Sequence, residues 1–249
     1  MARSMRTRDR QRDAMKAIAG RICFLFLGVW LFISFMYCRS NWLTERYGPK
    51  LYSKHDEELI IRDFFQDKRG GYFVDVGAGH YRVNSNTYYL EKERGWQGLA
   101  VDANCAYGKD YPAFRADTQF FCFFVGAKSD QWVDFYVQPW NKRLSTGDPG
   151  LAKSQGYYRK TKVQSITLND LLSRVGVVRF DFLSIDIELS EPAALSGLDI
   201  EKYQPALVCI EAHSEVREEI LRYFSRFDYL RVRIYDHLDP LNLYFTPKR

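Results

Sequence analysis

The sequence predicts an α/β protein: a doubly wound, mostly parallel sheet closed by an antiparallel C-terminal hairpin and preceded by one transmembrane helix. Three observations carry this. Apolar strand-like runs alternate with helical segments through the body of the chain. The first run, Tyr72 to Val76, contains Asp75 and opens into Gly77-Ala78-Gly79, and later runs also end in acids. Ile22 to Cys38 is 17 residues without a charge. Strands alternating with helices imply crossover connections and a sheet covered on both faces. A spanning helix needs about 20 apolar residues, with a lower limit near 17.

Four regions follow: a basic arm (1–21), a transmembrane helix (22–38), a linker (39–52) and a folded domain (53–249). An apolar share of 46% is ample for a core. The net charge of +5 belongs to the arm, because residues 1–39 hold eight Lys or Arg against two Asp and the rest holds 28 basic and 29 acidic residues. A nucleic-acid reader carries its positive charge on the folded body, so no nucleic-acid partner is expected. The uncharged segment closes Phe35-Met36-Tyr37-Cys38, without the small residues of a signal-peptide cleavage site, which favours a retained single-pass anchor. Seven basic residues precede it and Arg39, Arg46, Lys50 and Lys54 follow, so the side of the membrane stays open. The five scattered cysteines contain no C-x-x-C and predict neither a disulfide framework nor a zinc site.

Within the body, Ser53 with Asp56 reads as a capping pair for a helix with Leu59, Ile60, Ile61, Phe64 and Phe65 on its apolar face. Tyr72 to Val76 is the first strand, Ser85 to Arg94 a helix stopped by Gly95, and Gln97 to Asp102 the second strand. Phe120 to Val125 reads as a strand buried on both faces, and Trp132 to Val137 as a half-exposed one. Pro139 to Lys160, with Gly147, Pro149, Gly150 and Gly156, reads as a long loop lying beside the site as a lid. Thr167 starts a short helix with Asp170 as capping partner. A strand from Phe180 to Ile185, a helix from Glu191 to Leu198, a strand from Ala206 to Ile210 and a helix from Ser214 to Phe227 follow. Tyr229 to Tyr235 and Leu241 to Phe245 form the hairpin, which adds one antiparallel strand at the sheet edge.

In such a sheet the carboxyl ends of the parallel strands share one rim, where ligands bind. That rim gathers Asp75, Asp102, Asp186 and Glu211, with Glu188 two residues past Asp186. A strand that stops in a glycine turn leaves N–H groups free and lets a nucleotide-like ligand lie against main chain. Asp102 stands 27 positions after Asp75, about where an acid gripping ribose hydroxyls belongs, roughly 20 residues or more past such a turn. No third glycine follows Gly79, which counts against a dinucleotide dehydrogenase. His213 reads as part of the helix start at Ser214.

Several blocks together resemble the FkbM-type methyltransferases. They are Tyr52-Ser53-Lys54-His55-Asp56-Glu57-Glu58, Gly71 to Ala78, Asn84-Ser85-Asn86-Thr87, Leu90-Glu91 with Gly95-Trp96-Gln97-Gly98, Ile166 to Leu172, Phe182-Leu183-Ser184-Ile185-Asp186-Ile187-Glu188, and Cys209-Ile210-Glu211. The resemblance spans about residues 52 to 235, in order. It implies a seven-stranded Rossmann-like sheet, S-adenosylmethionine as cofactor and methyl transfer, commonly to oxygen. By the same resemblance, Asp75, Gly77 and Gly79 approach the cofactor's amino-acid end, Ser85 and Asn86 stand at the next helix start, and Asp102 holds the ribose. Glu188, Asp186 and Glu211, in that order, are the candidate general bases for a small-molecule or glycan-like hydroxyl acceptor. These carboxylates suit Mg²⁺ or Ca²⁺ equally well, and no metal ligand set is assigned. The family's glycine after Asp-x-Glu is replaced here by Leu189. That replacement and the short anchor motivate a second reading, a catalytically inactive methyltransferase-fold subunit with partners in a membrane complex.

Overall fold

The computed structural model describes residues 28, 30, 42–139, 145–156 and 159–248. The basic arm and all of the expected span except residues 28 and 30 lie outside these. Among the described residues no helix is long and apolar enough to cross a membrane. The chain divides into two units, Met1–Gly48 and Pro49–Arg249. In the first, residues 42–47 are helical, inside the expected linker, and the Arg46 guanidinium lies 5.4 Å from the Trp42 ring centre.

The second unit is built on a seven-stranded sheet. Its strands are β1 (Tyr72–Val76), β2 (Gln97–Asp102), β3 (Thr118–Cys122), β7 (Phe182–Ile185), β8 (Leu207–Glu211), β9 (Tyr229–Arg231) and β10 (Asn242–Pro247), in the order β3-β2-β1-β7-β8-β10-β9. The first five are parallel, and β10 runs antiparallel to both β8 and β9. This is the predicted mostly parallel sheet, with one correction. The antiparallel strand is not at the edge: β10 inserts between β8 and β9. The strand expected over 229–235 stops at Arg231, and a 3₁₀ turn, Arg233–Tyr235, follows.

Helices cover the sheet because their apolar faces match the strands. α1 (Glu57–Phe64) buries Leu59, Ile60 and Ile61 and carries Glu57 and Glu58 in its first turn, as the helix dipole favours. Its expected cap is modified: Ser53 Oγ accepts from the Glu58 N–H, five residues on, and Asp56 makes no side-chain cap. α2 (Tyr88–Arg94) stops at Gly95, whose φ of 67° is the left-handed conformation that glycine adopts without a Cβ penalty. α5 (Leu168–Arg174) is capped by Thr167 Oγ1, which accepts from the Asp170 N–H at 3.1 Å as its sequence predicts. One face of the sheet (Val74, Val76, Leu99, Val101, Leu183, Ile185, Val208, Ile210) packs against α5, α6 (Glu191–Ser196) and α8 (Arg217–Arg226) through Leu168, Leu172, Leu195, Ile220 and Phe224. Full burial of each such side chain contributes about 1.5–3 kcal/mol. Phe73, Trp96 and Phe182 are fully buried too, and the Phe65 ring meets Trp96 and Phe182 edge-on.

The single strand expected over 120–125 is split. Phe120–Cys122 belongs to β3 at the sheet edge. β4 (Phe124–Val125) pairs instead with β6 (Arg159–Ile166) in a second sheet of order β4-β6-β5, where β5 is Trp132–Val137. The expected loop over 139–160 holds a short helix, α4 (Pro149–Ser154), and the start of β6. α3 (Tyr111–Phe114) and α7 (Ile200–Tyr203) complete the elements named here. Cys105 and Cys122 form a disulfide, contrary to the cysteine reading. The pairing register sets Cys122 beside Asp102 at the end of β2, so two cysteines 17 positions apart meet only once β3 returns along β2.

Candidate active site

The register builds the site. β1 pairs Val76 with Val101 on one side and with Ile185 on the other, and Ile185 pairs with Ile210. The residues that follow, Gly77, Asp102, Asp186 and Glu211, therefore emerge side by side on one rim. They border a cleft of ≈ 210 Å³, whose wall also includes Gly79, Asn86, Glu188, Lys54 and Glu57.

Gly77 is fixed by geometry. Its φ is +79°, and an added Cβ would stand 1.8 Å from the Asp186 carbonyl oxygen. Gly79, at φ +58°, donates its N–H to Asp102 Oδ2 at 2.9 Å. Asp102 Oδ1 accepts from the Asn104 N–H at 2.7 Å. Its carboxylate thus ties the glycine turn to the loop after β2 and keeps lone pairs for ligand hydroxyls. Burial raises the Asp102 pKa to about 6, against the lowering effect of those two N–H groups.

Asp75 and Ser85 lie beneath the cleft rather than on its wall. Asp75 is buried and accepts from Thr87 Oγ1 at 2.7 Å; burial raises its pKa to about 6, with Thr87 and Arg115 opposing. Ser85 Oγ accepts from the Tyr88 N–H at 3.0 Å and so secures the start of α2. Asn86, on the wall, donates to Ser184 Oγ at 3.2 Å. Sequence reasoning missed the support of this turn. Arg115, fully buried, pairs with buried Glu91 and donates to the Tyr81 carbonyl at 2.9 Å and to the hydroxyls of Thr87 and Thr118 at 3.2 and 3.1 Å. No motif surrounds Arg115, and only the fold brings it to Glu91 and Thr87.

Asp186, Glu188 and Glu211 stand on the cleft wall, and His213 lies beside the two glutamates. His213 is not part of a helix, since α8 begins at Arg217; its Nε2 lies 3.3 Å from Glu211 Oε2 and 3.8 Å from Glu188 Oε2. Burial first, and then Asp186, raises the Glu188 pKa to about 7. Glu211 is pushed up by burial and then by Asp186, Glu188 and Glu191. Glu191 accepts from the Ile187 N–H at 3.0 Å and is raised by burial to about 7.

Residues 75–231, well over half of the chain, match the family described as the methyltransferase FkbM domain. The chain belongs to the FkbM methyltransferase family. The matched FkbM region begins at Asp75 and runs through Glu211 to the end of β9, so it contains the glycine turn and all of these acids. Among solved structures, the chain is similar to a TehB-like SAM-dependent methyltransferase from Corynebacterium glutamicum. That likeness has 14% identity and a TM-score of 0.45, over 85% of this chain and 96% of the other. No curated protein matches. Two wall residues, Lys54 and Glu57, precede the matched FkbM region but fall in the 52–58 block that carried the resemblance. Ser145, also on the wall, comes from the expected lid, and its neighbour Thr146 donates to the Glu188 carbonyl at 2.9 Å. The lid reading placed that segment beside the site but singled out neither residue.

Proposed function

We propose that this chain is a membrane-anchored, S-adenosylmethionine-dependent O-methyltransferase acting on a small-molecule or glycan-like hydroxyl. The single observation that carries the reading is the join between glycine turn and acid. Gly77 is held where only glycine fits, and Gly79 donates to Asp102 at the mouth of the cleft. Such a turn fits a nucleoside against bare main chain, and the free lone pairs of Asp102 suit paired ribose hydroxyls. Bound there, the cofactor supplies an electrophilic methyl group.

The chain's own residues then have two tasks. The cleft positions the acceptor and excludes water, an effect worth up to about 7–11 kcal/mol. Glu188 takes the hydroxyl proton onto its carboxylate. A pKa of about 7 suits a base working near neutral pH, and general base catalysis contributes about 10²–10⁴ in rate. Asp186 and Glu211 stand beside it as hydroxyl acceptors. Leu189 is not on the wall of the cleft. Residues 22–38 serve as the anchor.

Calorimetric titration of the full chain with S-adenosylmethionine tests the proposal: the wild type binds and Asp102→Ala binds at least 10-fold more weakly. Absence of binding by both ends it. Carbonate extraction of membranes tests the anchor, and release of the intact chain would remove that part.

A further inference from the structure

Glu188, Glu211 and His213 bring two carboxylates and one imidazole nitrogen into a single corner. Glu211 is 6% exposed, and its Oε2 accepts no hydrogen bond although His213 Nε2 is only 3.3 Å away. That nitrogen is also 3.8 Å from Glu188 Oε2, and one ligand atom from each residue lies within 4.8 Å of the other two. Ligand atoms at about 2.0–2.2 Å from a shared divalent ion are separated by roughly 3–4.4 Å. The two distances from His213 Nε2, 3.3 and 3.8 Å, fall in that range and are wider than hydrogen bonds at about 2.7–3.2 Å.

The backbone holds the three in place. Glu211 ends β8, paired to Asn242. Glu188 sits at φ +53°, with its carbonyl held by Thr146. His213 precedes α8, and its carbonyl accepts from the Val216 and Arg217 N–H groups. One imidazole with two carboxylates suits Mn²⁺ or Zn²⁺ better than the all-oxygen cations.

We infer that Glu188, Glu211 and His213 form a site for one divalent cation of the Mn²⁺ or Zn²⁺ class, opening onto the cofactor cleft. Three protein ligands leave coordination positions free for a ligand oxygen. That this oxygen is the acceptor hydroxyl rests on the methyltransferase reading, with Asp186 taking the hydroxyl proton while Glu188 is held by the ion; the binding of the ion does not rest on it. The rival is that these acids only balance the positive charge of the cofactor, in which case no metal binds.

The test uses the full chain, stripped with a chelator and free of cofactor. It is titrated with MnCl₂, followed by the electron paramagnetic resonance of free Mn²⁺, and with ZnCl₂ in a calorimeter. One ion per chain is expected, with at least 10-fold weaker binding in His213→Ala and Glu188→Gln. Glu211→Gln is expected to match them, but its burial puts folding at risk, so His213→Ala, at a half-exposed position, is the deciding variant. No binding, or binding unchanged in His213→Ala, overturns the inference. A parallel titration with S-adenosylmethionine separates the two proposals: cofactor binding without metal binding sinks only this one, and metal binding without cofactor binding sinks only the other.

Discussion

The α-carbon of Gly77 faces the Asp186 carbonyl so closely that a methyl group cannot stand between them: a Cβ at 77 would lie 1.8 Å from that oxygen. Two strand ends of the sheet, β1 and β7, therefore meet main chain to main chain at the floor of the cleft. Gly77→Ala must move one of them, in addition to about 1–2 kcal/mol for a left-handed non-glycine backbone. Gly79→Ala faces the backbone penalty alone, since its added Cβ would meet nothing nearer than the Gly77 carbonyl at 3.9 Å. Denaturant titration should place Gly77→Ala well below Gly79→Ala in stability. Equal losses would mean that the close approach is absent in solution.

On the proposed reading, Asp102 links cofactor affinity to pH. Its pKa is raised from 3.8 to about 6, and the carboxylate is the form that accepts ribose hydroxyls. Affinity for S-adenosylmethionine should fall as pH drops through about 6, and Asp102→Asn should bind weakly with no such slope. The sign for stability is opposite. A carboxyl whose folded pKa is raised is protonated more readily in the folded state, so ionising it costs stability. That cost begins near the unfolded value of 3.8 and is complete above about 6. Asp75 titrates over the same window. Asp102→Asn should therefore reduce the fall in stability between pH 4 and 6 without abolishing it, as thermal melts across that range would report.

Much of this site was legible because the fold makes it local. An acid that ends an apolar run needs only the parallel sheet to bring it to the rim, and Asp102, Asp186 and Glu211 came together by that rule alone. Contacts that depend on how separate elements meet were not legible. β6 opens Arg159-Lys160-Thr161-Lys162, with both arginine and lysine exposed, and reads as loop until β5 pairs with it. The Phe120–Val125 run gives no sign that it crosses from one sheet to another. Asp75 was expected at the cofactor. It stands on β1 just before the glycine turn, but its side chain turns inward to Thr87, a direction that spacing along one strand does not fix.

The inward turn makes Asp75 one end of a buried chain of polar groups, Asp75–Thr87–Arg115–Glu91. Arg115→Met keeps the apolar stem but leaves Glu91, 3% exposed, without its guanidinium. Removing one partner of a buried pair costs about 3–5 kcal/mol when the remaining charge is uncompensated; Lys92, 2.8 Å from Glu91 Oε1, offsets part of that here. Glu91→Gln with Arg115→Met should recover part of that loss. A double variant as unstable as the single one would show that Arg115 acts through packing rather than charge.

Leu189 stands where the resembling family carries glycine, and it adopts φ +77°, with Glu188 before it at φ +53°. Left-handed backbone costs a leucine about 1–2 kcal/mol, while glycine loses roughly 0.5–1 kcal/mol more than alanine through its unfolded-state freedom. The two nearly cancel, and Leu189 is only half-buried, so little packing is lost. Leu189→Gly should therefore change unfolding free energy by less than about 1 kcal/mol, far less than leucine-to-glycine changes elsewhere in the body. Leu189→Ala keeps the strained backbone and loses the side chain, so it should be the less stable of the two. If alanine proves more stable than glycine at 189, the left-handed turn does not persist in solution, and the placement of Glu188 across from His213 loses its backbone support.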